Sequence, residues 1–152
     1  MSIRIKDIMT KEIKSIPPEM NARKALGLLV KTGMSGFPVI DAKGEAVGVF
    51  TEKEILSAIL PGYLKAVGSF VYAADSKAEL KKLAGLEKFL VKDLMRKEVP
   101  TLEEDATLTE ASRMMLTKSE RRLIVVKGNI AVGVVTRRDV VTALAAEAGV
   151  AI

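Results

Sequence analysis

The chain of 152 residues contains no cysteine, histidine or tryptophan. Without cysteine it can form no disulfide and carries no thiolate nucleophile, which is typical of proteins in a reducing cytoplasm. Without histidine it has no imidazole metal ligand, no His-based triad and no His proton shuttle. Carboxylate or lysine chemistry stays open on composition alone. No paired carboxylates, metal-ligand set or activated nucleophile is visible, so we expect no catalytic residues, no metal site and no enzyme.

Aromatic residues and long apolar runs are scarce as well. There are 4 Phe and 2 Tyr, none interleaved with a basic run, which argues against nucleic acid as a partner. No run of about 18 apolar residues occurs, so we expect no membrane span. The first residues, MSIRIKDIM, are too polar for a signal peptide. These absences predict a cytoplasmic protein.

The remaining composition is that of a globular protein, with 49% apolar and 28% charged residues. Lys and Arg number 24 against 19 Asp and Glu, giving a net charge of +5. Such a mild excess fits a basic, solvated surface. It equally fits affinity for small anions such as nucleotides.

An internal repeat organises the sequence. The stretch IKDIMTKEI from Ile5 returns as VKDLMRKEV from Val91, FPVI from Phe37 as LIVV, and AVGVFT as AVGVVT. These matches indicate two copies of one unit of about 55 residues. We assign residues 1–60 to the first motif, 61–90 to a helical insert or linker, and 91–152 to the second motif, with the two motifs forming one compact module.

Each copy predicts the order β-α-β-β-α, hence an α/β (α+β) fold. Asn21 is the expected cap and Gly33 the expected end of the first helix, and Thr107-x-x-Glu110 reads as a capping box. One copy alone leaves one face of its short sheet uncovered, so we expect the two units to pack sheet to sheet. In the insert, Ser76-x-x-Glu79 predicts a short capped helix.

The last strand of each copy runs into a charged helix start, TEKE in the first and TRRD in the second. Thr51-x-x-Glu54 has the spacing of a capping box, which suffices to explain both residues. For Thr136-x-x-Asp139 this explanation is weaker, because Asp is shorter and reaches the cap amide less easily. On sequence physics alone, a helix cap is favoured over a ligand site at both positions.

The ligand interpretation uses the same geometry. A helix start that follows a strand offers free amides and a partial positive charge to anions. Arg137 and Arg138 flank this point, and Arg121 and Arg122 precede the neighbouring strand, so four guanidinium groups could meet a polyphosphate. Asp139 could accept hydrogen bonds from a diol such as ribose. Groups that donate hydrogen bonds to phosphate, next to a carboxylate that accepts hydrogen bonds from a diol, are what a nucleotide site requires.

The doubled pattern of VKDLM, an entry strand, a helix, an apolar strand and then G-x-x-T-x-x-D resembles the CBS domain, named from cystathionine β-synthase. Two in tandem resemble a stand-alone Bateman module, since no enzyme, channel or transporter domain accompanies them. The resemblance implies units related by a pseudo-twofold axis, and clefts for AMP, ADP, ATP or S-adenosylmethionine as regulatory ligands. It also implies a homodimer that requires no cofactor and signals to an unknown regulated protein.

Carried over by position, the resemblance implies two nucleotide sites. The main site comprises Pro100, Thr101, Leu102, Arg121, Arg122, Leu123, Thr136, Arg137, Arg138 and Asp139. The second, weaker site comprises Ser15, Ile16, Gly36, Phe37, Pro38, Thr51, Lys53 and Glu54. The second site departs from the family pattern, because Glu54 replaces Asp and the neighbouring Glu52 repels phosphate. The alternative function is a ligand-free dimerisation or interaction scaffold of the same fold.

Overall fold

A computed structural model of the chain describes residues 3–59 and 85–150. The helix predicted around Ser76-x-x-Glu79, and with it most of the predicted insert, lies outside the described residues. At the end of the insert, Gly85–Lys88 forms a short 3-10 helix.

The described elements are a mixture of helices and strands, which confirms the α+β fold class. The helices are α1 (Ala22–Thr32), α2 (Glu52–Ile59), α3 (Val91–Leu94), α4 (Leu108–Thr117) and α5 (Arg137–Glu147), and a 3-10 turn covers Ile5–Asp7. The strands are β1 (Gly36–Ile40), β2 (Ala46–Thr51), β3 (Thr101–Glu103), β4 (Arg122–Lys127) and β5 (Ile130–Thr136).

Helix α1 begins and ends where its sequence predicts. The Asn21 side chain accepts hydrogen bonds from the backbone amides of Arg23 and Lys24, and Gly33 ends the helix with φ of 70° in the left-handed region. The buried residues of the helix are Ala22, Ala25 and Leu29, at spacings of three and four. The predicted boundaries are therefore confirmed.

The strands form one two-stranded and one three-stranded sheet. The smaller sheet pairs β1 with β2, and the larger has the order β3-β4-β5. The entry strand predicted for the first repeat is reduced to a single parallel bridge between Ile16 and Val39. Pro17 and Pro18 follow Ile16 and have no backbone N–H, so they cannot extend this ladder. In the second repeat the prediction is confirmed by β3.

The chain forms two compact units whose boundaries differ from those of the repeats. Unit 1 comprises Met1–Lys14, Ala42–Ala46 and Val99–Ile152, and unit 2 comprises Ser15–Asp41 and Val47–Glu98. The segment that leads into each repeat thus packs with the body of the other repeat.

Backbone pairing holds each leading segment in place. In unit 1, Thr10 and Val134 exchange two backbone hydrogen bonds of 2.9 Å each. In unit 2, the matched residues Arg96 and Val49 exchange bonds of 2.9 and 2.8 Å. Each segment therefore covers the free edge of β5 or of β2, whose backbone groups would otherwise have no partner.

Each unit has its own apolar core, to which the foreign segment contributes. In unit 1 the segment supplies Ile5, which is fully buried among residues of β3, α4, β4, β5 and α5. In unit 2 it supplies Val91, which is fully buried among residues of α1, β1, β2 and α2. Burial of one such side chain contributes about 1.5–3 kcal/mol, so neither core is complete with its own repeat alone.

Where each leading segment meets the strand that it covers, a methionine of the segment lies over a glycine of the strand. Met9 and Met95 lie against the cores of units 1 and 2. A Cβ atom at Gly133 would lie 2.6 Å from Met9 Sδ, and a Cβ at Gly48 would overlap Met95 Sδ. The absence of a side chain at these two glycines makes room for the thioethers.

Candidate functional site

The residues predicted for the main site meet at one end of the unit 1 sheet. Strand β3 is parallel to β4, with Thr101 beside Ile124, so both strands begin at this end. Strand β5 is antiparallel to β4 and finishes there, with Thr136 directly opposite Arg122. Helix α5 starts at the next residue. The topology thus places backbone and side chains from three strand ends and one helix start together.

Thr136 and Asp139 form a complete capping box. The Thr136 backbone N–H donates to Asp139 Oδ2 at 2.8 Å, and the Asp139 N–H donates to Thr136 Oγ1 at 3.1 Å. Asp139 therefore reaches the cap amide, although the shorter side chain was expected to do so less easily than Glu. Within the described residues, the second carboxylate oxygen of Asp139 accepts no hydrogen bond. This oxygen is available to a ligand hydroxyl.

Four arginines surround the same helix start, and all four are exposed. The Arg137 side chain lies against the preceding loop, where its Nε donates to the Glu120 carbonyl at 3.1 Å. Among residues 3–59 and 85–150, no carboxylate forms an ion pair with Arg121, Arg122 or Arg138. Three guanidinium groups thus retain their full capacity to bind an anion.

The helix amides contribute less than the sequence predicts. The Arg137 N–H donates to the Arg121 carbonyl at 2.9 Å, and the Asp139 N–H is used by the cap. Since the protein itself satisfies these amides, the capacity of this helix start to bind an anion lies mainly in the guanidinium groups.

Two of the predicted residues can offer only their backbone. Leu102 is 5% exposed and Leu123 is fully buried, and both belong to the unit 1 core. Pro100 and Thr101 are partly exposed at the start of β3. The side chains that can touch a ligand are therefore those of Pro100, Thr101, Thr136, Asp139 and the arginines.

The residues of the predicted second site come together in unit 2. Ile16 donates its N–H to the Pro38 carbonyl at 3.1 Å, which places Ser15 and Ile16 beside β1. Gly36, the first residue of β1, faces Thr51 at the end of β2. The side chains of Ile16, Phe37 and Pro38 are buried, whereas Ser15 and Lys53 are exposed.

The cap of unit 2 has a different hydrogen-bond pattern. Glu54 Oε1 accepts from the Thr51 N–H at 2.7 Å and from the Thr51 hydroxyl at 2.6 Å. The Thr51 hydroxyl oxygen in turn accepts from the Lys53 N–H at 3.1 Å. The predicted cap is confirmed, and the single proton of the hydroxyl group is used inside it.

Charge also separates the two sites. Unit 1 has arginine at 121, 122, 137 and 138, which gives +4, whereas the matched positions 35, 36, 52 and 53 hold Ser, Gly, Glu and Lys, which sum to zero. At a separation of about 4 Å, each additional opposite-charge pair gains about 1 kcal/mol in bulk water and more where water is excluded. Anions are therefore favoured at unit 1.

The sequence did not reveal that the chain start lies beside the main site. Thr10 pairs with Val134, two residues before Thr136. Earlier in the same segment, the Ile5 N–H donates to the Ala106 carbonyl at 2.9 Å. No local pattern in the sequence indicated this arrangement, because the paired residues lie far apart in the chain.

An ion pair fixes the same segment to the loop after β3. Lys6 Nζ lies 2.9 Å from Asp105 Oδ1. The hydrogen bond and charge of Asp105 raise the pKa of Lys6, and those of Lys6 lower the pKa of Asp105. Both groups are solvent-exposed, so the pair orients the segment more than it stabilises it.

Metal-binding and membrane-spanning features were sought in the same residues. No group of three or more Asp and Glu side chains in the described ranges is arranged to hold a metal ion. Among these residues, no helix has the combination of length and apolar character needed to cross a membrane.

Known proteins resemble the chain over most of its length. An archaeal protein designated MJ1426, from Methanocaldococcus jannaschii, is 31% identical over 153 residues, which cover 92% of this chain and 90% of that protein. The chloroplastic CBS domain-containing protein CBSX1 of Arabidopsis thaliana is 32% identical, covering 90% of this chain but 62% of the plant protein.

Solved structures share the fold. The CBS-pair protein CBSX2 from Arabidopsis thaliana aligns with a TM-score of 0.72 and 26% identity, over 99% of this chain and all of that one. CBSX2 in complex with AMP aligns with a TM-score of 0.69 and 27% identity, over 95% of this chain and 98% of that one. The CBS domain pattern itself matches residues 5–61 and 91–146. The chain therefore belongs to the CBS domain family, of which it carries two copies in tandem.

Proposed function

We propose that the chain is a regulatory module that binds an adenosine nucleotide at the end of the unit 1 sheet and signals its presence to a partner protein. The observation that supports this most directly concerns Asp139 and three arginines: among the described residues, one carboxylate oxygen of Asp139 accepts no hydrogen bond and the three nearby guanidinium groups form no ion pair. A carboxylate that can accept hydrogen bonds from a diol, next to guanidinium groups that can donate hydrogen bonds to phosphate, suits a ribose phosphate. The similarity to CBSX2, which was solved in complex with AMP, agrees with this ligand class.

In this proposal the module binds its ligand and catalyses no reaction. The ligand is AMP, ADP, ATP or S-adenosylmethionine, and the signal is a change in the stability or packing of unit 1. Coupling between a ligand and a partner is commonly worth about 1–3 kcal/mol, which suffices for regulation. Turnover of ATP by the purified chain in the presence of Mg²⁺ would contradict this assignment.

The two sites are unequal in our proposal. Unit 1 binds the phosphorylated ligand, and unit 2 is weak, empty or takes a ligand with less negative charge. The supporting observation is the charge contrast between the two helix starts, +4 against zero. Glu52 adds repulsion at unit 2, and among these positions only Lys53 offsets it.

Calorimetric titration with the four ligands tests the proposal. Asp139→Asn keeps a side-chain oxygen that can accept from the Thr136 N–H, so the helix cap is retained while the carboxylate charge is lost. We expect at least a tenfold loss of affinity. Glu54→Gln is the matched control in unit 2 and should leave affinity within about twofold. Equal losses in both variants would refute the asymmetry.

Thermal melting provides an independent measurement. A ligand present at about 100 times its dissociation constant adds about 2.7 kcal/mol to the folded state. We expect this stabilisation in the wild type and in Glu54→Gln, whereas a tenfold loss of affinity in Asp139→Asn would lower it to about 1.4 kcal/mol at the same ligand concentration. If none of the four ligands stabilises the wild type, the scaffold function replaces the sensor function.

The scaffold alternative rests on exposed apolar residues at repeat-equivalent positions. Val30 and Leu116 occupy matching sites on α1 and α4, with 76% and 78% exposure. Leu56 and Val141 occupy matching sites on α2 and α5, with 57% and 63% exposure. A twofold interface uses one surface patch on both partners, so such apolar pairs suit a homodimer.

Light scattering coupled to size exclusion tests the homodimer. Leu116→Glu combined with Val141→Glu should convert the dimer to a monomer, because charges would replace apolar contacts at the interface. Thr117→Glu adds a charge to the same helix at an exposed polar position and should remain dimeric. A monomeric wild type would exclude the homodimer whatever the variants do.

A further inference from the structure

The two threonine caps differ in where the hydroxyl proton goes. The Thr136 hydroxyl oxygen accepts from the Asp139 N–H, and among the described residues its own proton has no acceptor. The Thr51 hydroxyl donates its proton to Glu54 Oε1 at 2.6 Å and also accepts from the Lys53 N–H. A threonine hydroxyl has one proton to donate. Unit 1 therefore keeps a donor for a ligand oxygen, and unit 2 does not.

Gly36 makes the second arrangement possible. A Cβ atom at position 36 would lie 2.5 Å from Thr51 Cγ2 and 2.9 Å from Thr51 Cβ. The Thr51 methyl group, together with the Cβ and with the Cα at 3.1 Å, thus occupies space that a side chain at position 36 would fill. In unit 1 the matched position is Arg122, which lies opposite Thr136 in the sheet and carries a Cβ. A Thr136 methyl group turned towards Arg122 would meet that Cβ.

The length of the cap carboxylate completes the difference. Glu54 has one methylene more than Asp139, and its Oε1 reaches both the N–H and the hydroxyl of Thr51. Asp139 Oδ2 reaches the Thr136 N–H, while the Thr136 hydroxyl engages the Asp139 amide. Glycine and glutamate therefore act as a pair, the first giving space to the methyl group and the second taking the proton.

We propose that Gly36 and Glu54 are specificity-determining residues, which hold the Thr51 hydroxyl inside its own cap and so close unit 2 to nucleotides. Their counterparts Arg122 and Asp139 leave the Thr136 hydroxyl free to donate to a ribose or phosphate oxygen. The inference rests on the proposed nucleotide function of unit 1 and adds two positions to the charge contrast as a cause of the difference between the two units.

The test transfers the unit 1 pair into unit 2. In a background of Asp139→Asn, which weakens unit 1 by at least tenfold, AMP is titrated calorimetrically against Gly36→Arg with Glu54→Asp. Each substitution alone in that background is the control. We expect the pair to bind AMP at least tenfold more tightly than either single variant, because only the pair both removes the space and shortens the carboxylate. A single variant that equals the pair, or a pair that gains nothing, would overturn the inference.

A reverse experiment keeps the inference testable if the Gly36 variants fail to fold, which a urea titration detects. Arg122→Gly and Arg122→Ala, each combined with Asp139→Glu, both lack the guanidinium group and differ only in the Cβ at residue 122. We expect about tenfold weaker AMP binding in the glycine variant, the order of effect of one hydrogen bond. Equal affinities would refute the role of the Cβ.

The wild type separates this inference from the proposed function. If wild-type chain binds no AMP, ADP, ATP or S-adenosylmethionine, the nucleotide function itself is wrong. If it binds one of them at unit 1 and the transferred pair makes no difference, only the role of Gly36 and Glu54 is refuted.

Discussion

Replacing Gly133 by alanine should show how strongly the leading segment of the first repeat is bound into unit 1. The added Cβ would lie 2.6 Å from Met9 Sδ and 2.9 Å from the Thr10 carbonyl oxygen. The thioether can rotate away, but the carbonyl is backbone and accepts the hydrogen bond of the Val134 N–H. The segment must therefore move away from β5.

The expected cost follows from two contributions. Overpacking of a well-filled site costs about 1–3 kcal/mol. Weakening the two backbone bonds between Thr10 and Val134 costs up to about 0.5–1.5 kcal/mol each. Because movement of the segment relieves the overlap while it weakens the bonds, the contributions do not simply add. We expect Gly133→Ala to lower the free energy of unfolding by about 2–3 kcal/mol.

Urea unfolding followed by circular dichroism measures this change, with Gly27→Ala as the matched control. Both substitutions restrict the unfolded chain equally, but a Cβ at Gly27 meets nothing within 4 Å. In the interior of α1, the control should stabilise the protein by about 0.5–1 kcal/mol. If Gly133→Ala behaved like Gly27→Ala, the close approach of the segment to β5 would be wrong.

A double variant separates the two causes. Met9→Ala with Gly133→Ala should be less destabilised than the sum of the single changes, since the first removes the thioether that the second displaces. A coupling of about 0.5 kcal/mol or more is expected for residues in direct contact. Additive effects would assign the cost to the Thr10 carbonyl alone. Gly48→Ala, over Met95 in unit 2, should destabilise in the same direction.

Three further predictions concern single sites. Ser119 has φ of 54° at the position that Gly33 occupies in the first repeat. Because glycine adopts this conformation without strain, Ser119→Gly should raise the free energy of unfolding by up to about 1 kcal/mol, measured by urea titration. A clear loss of stability would contradict this. Thr107 accepts from the Glu110 N–H at 3.1 Å, and Thr107→Ala should cost about 1 kcal/mol by the same measurement; an unchanged midpoint would refute the cap. Lys6 lowers the pKa of Asp105 below 3.8, and Lys6→Ala should return it towards that value in a carboxyl-carbon NMR titration.

The sign of the pH effect follows from the direction of each shift. The folded-state pKa of Asp105 is lowered, so its contribution to stability is present above the unfolded value of 3.8 and is lost as pH falls through the folded value. The folded-state pKa of Lys6 is raised, so its contribution is present below 10.5 and is lost as pH rises through the folded value. At neutral pH both contributions are present.

Much of the local structure could be predicted because it depends on neighbouring residues. Asn21 and Gly33 bound α1 as expected, since caps and left-handed turns are decided within a few positions. The repeated apolar stretches FPVI, AVGVFT, LIVV and AVGVVT lie in β1, β2, β4 and β5, because a run of apolar residues ended by a turn is a local pattern. The same matching put Thr136 and Asp139 at a helix start, where both are found.

The sequence by itself therefore determined the fold class, the two copies and the candidate residues. Only the tertiary structure decided which segment packs with which body, because the pairing of Thr10 with Val134 joins residues far apart in the chain and leaves no local pattern. It also decided the direction of the Thr51 hydroxyl, which depends on space left by Gly36 in the neighbouring strand. Contacts between residues far apart in the chain depend on how side chains and strands fit together in three dimensions, and this fit is not encoded in any short stretch of sequence.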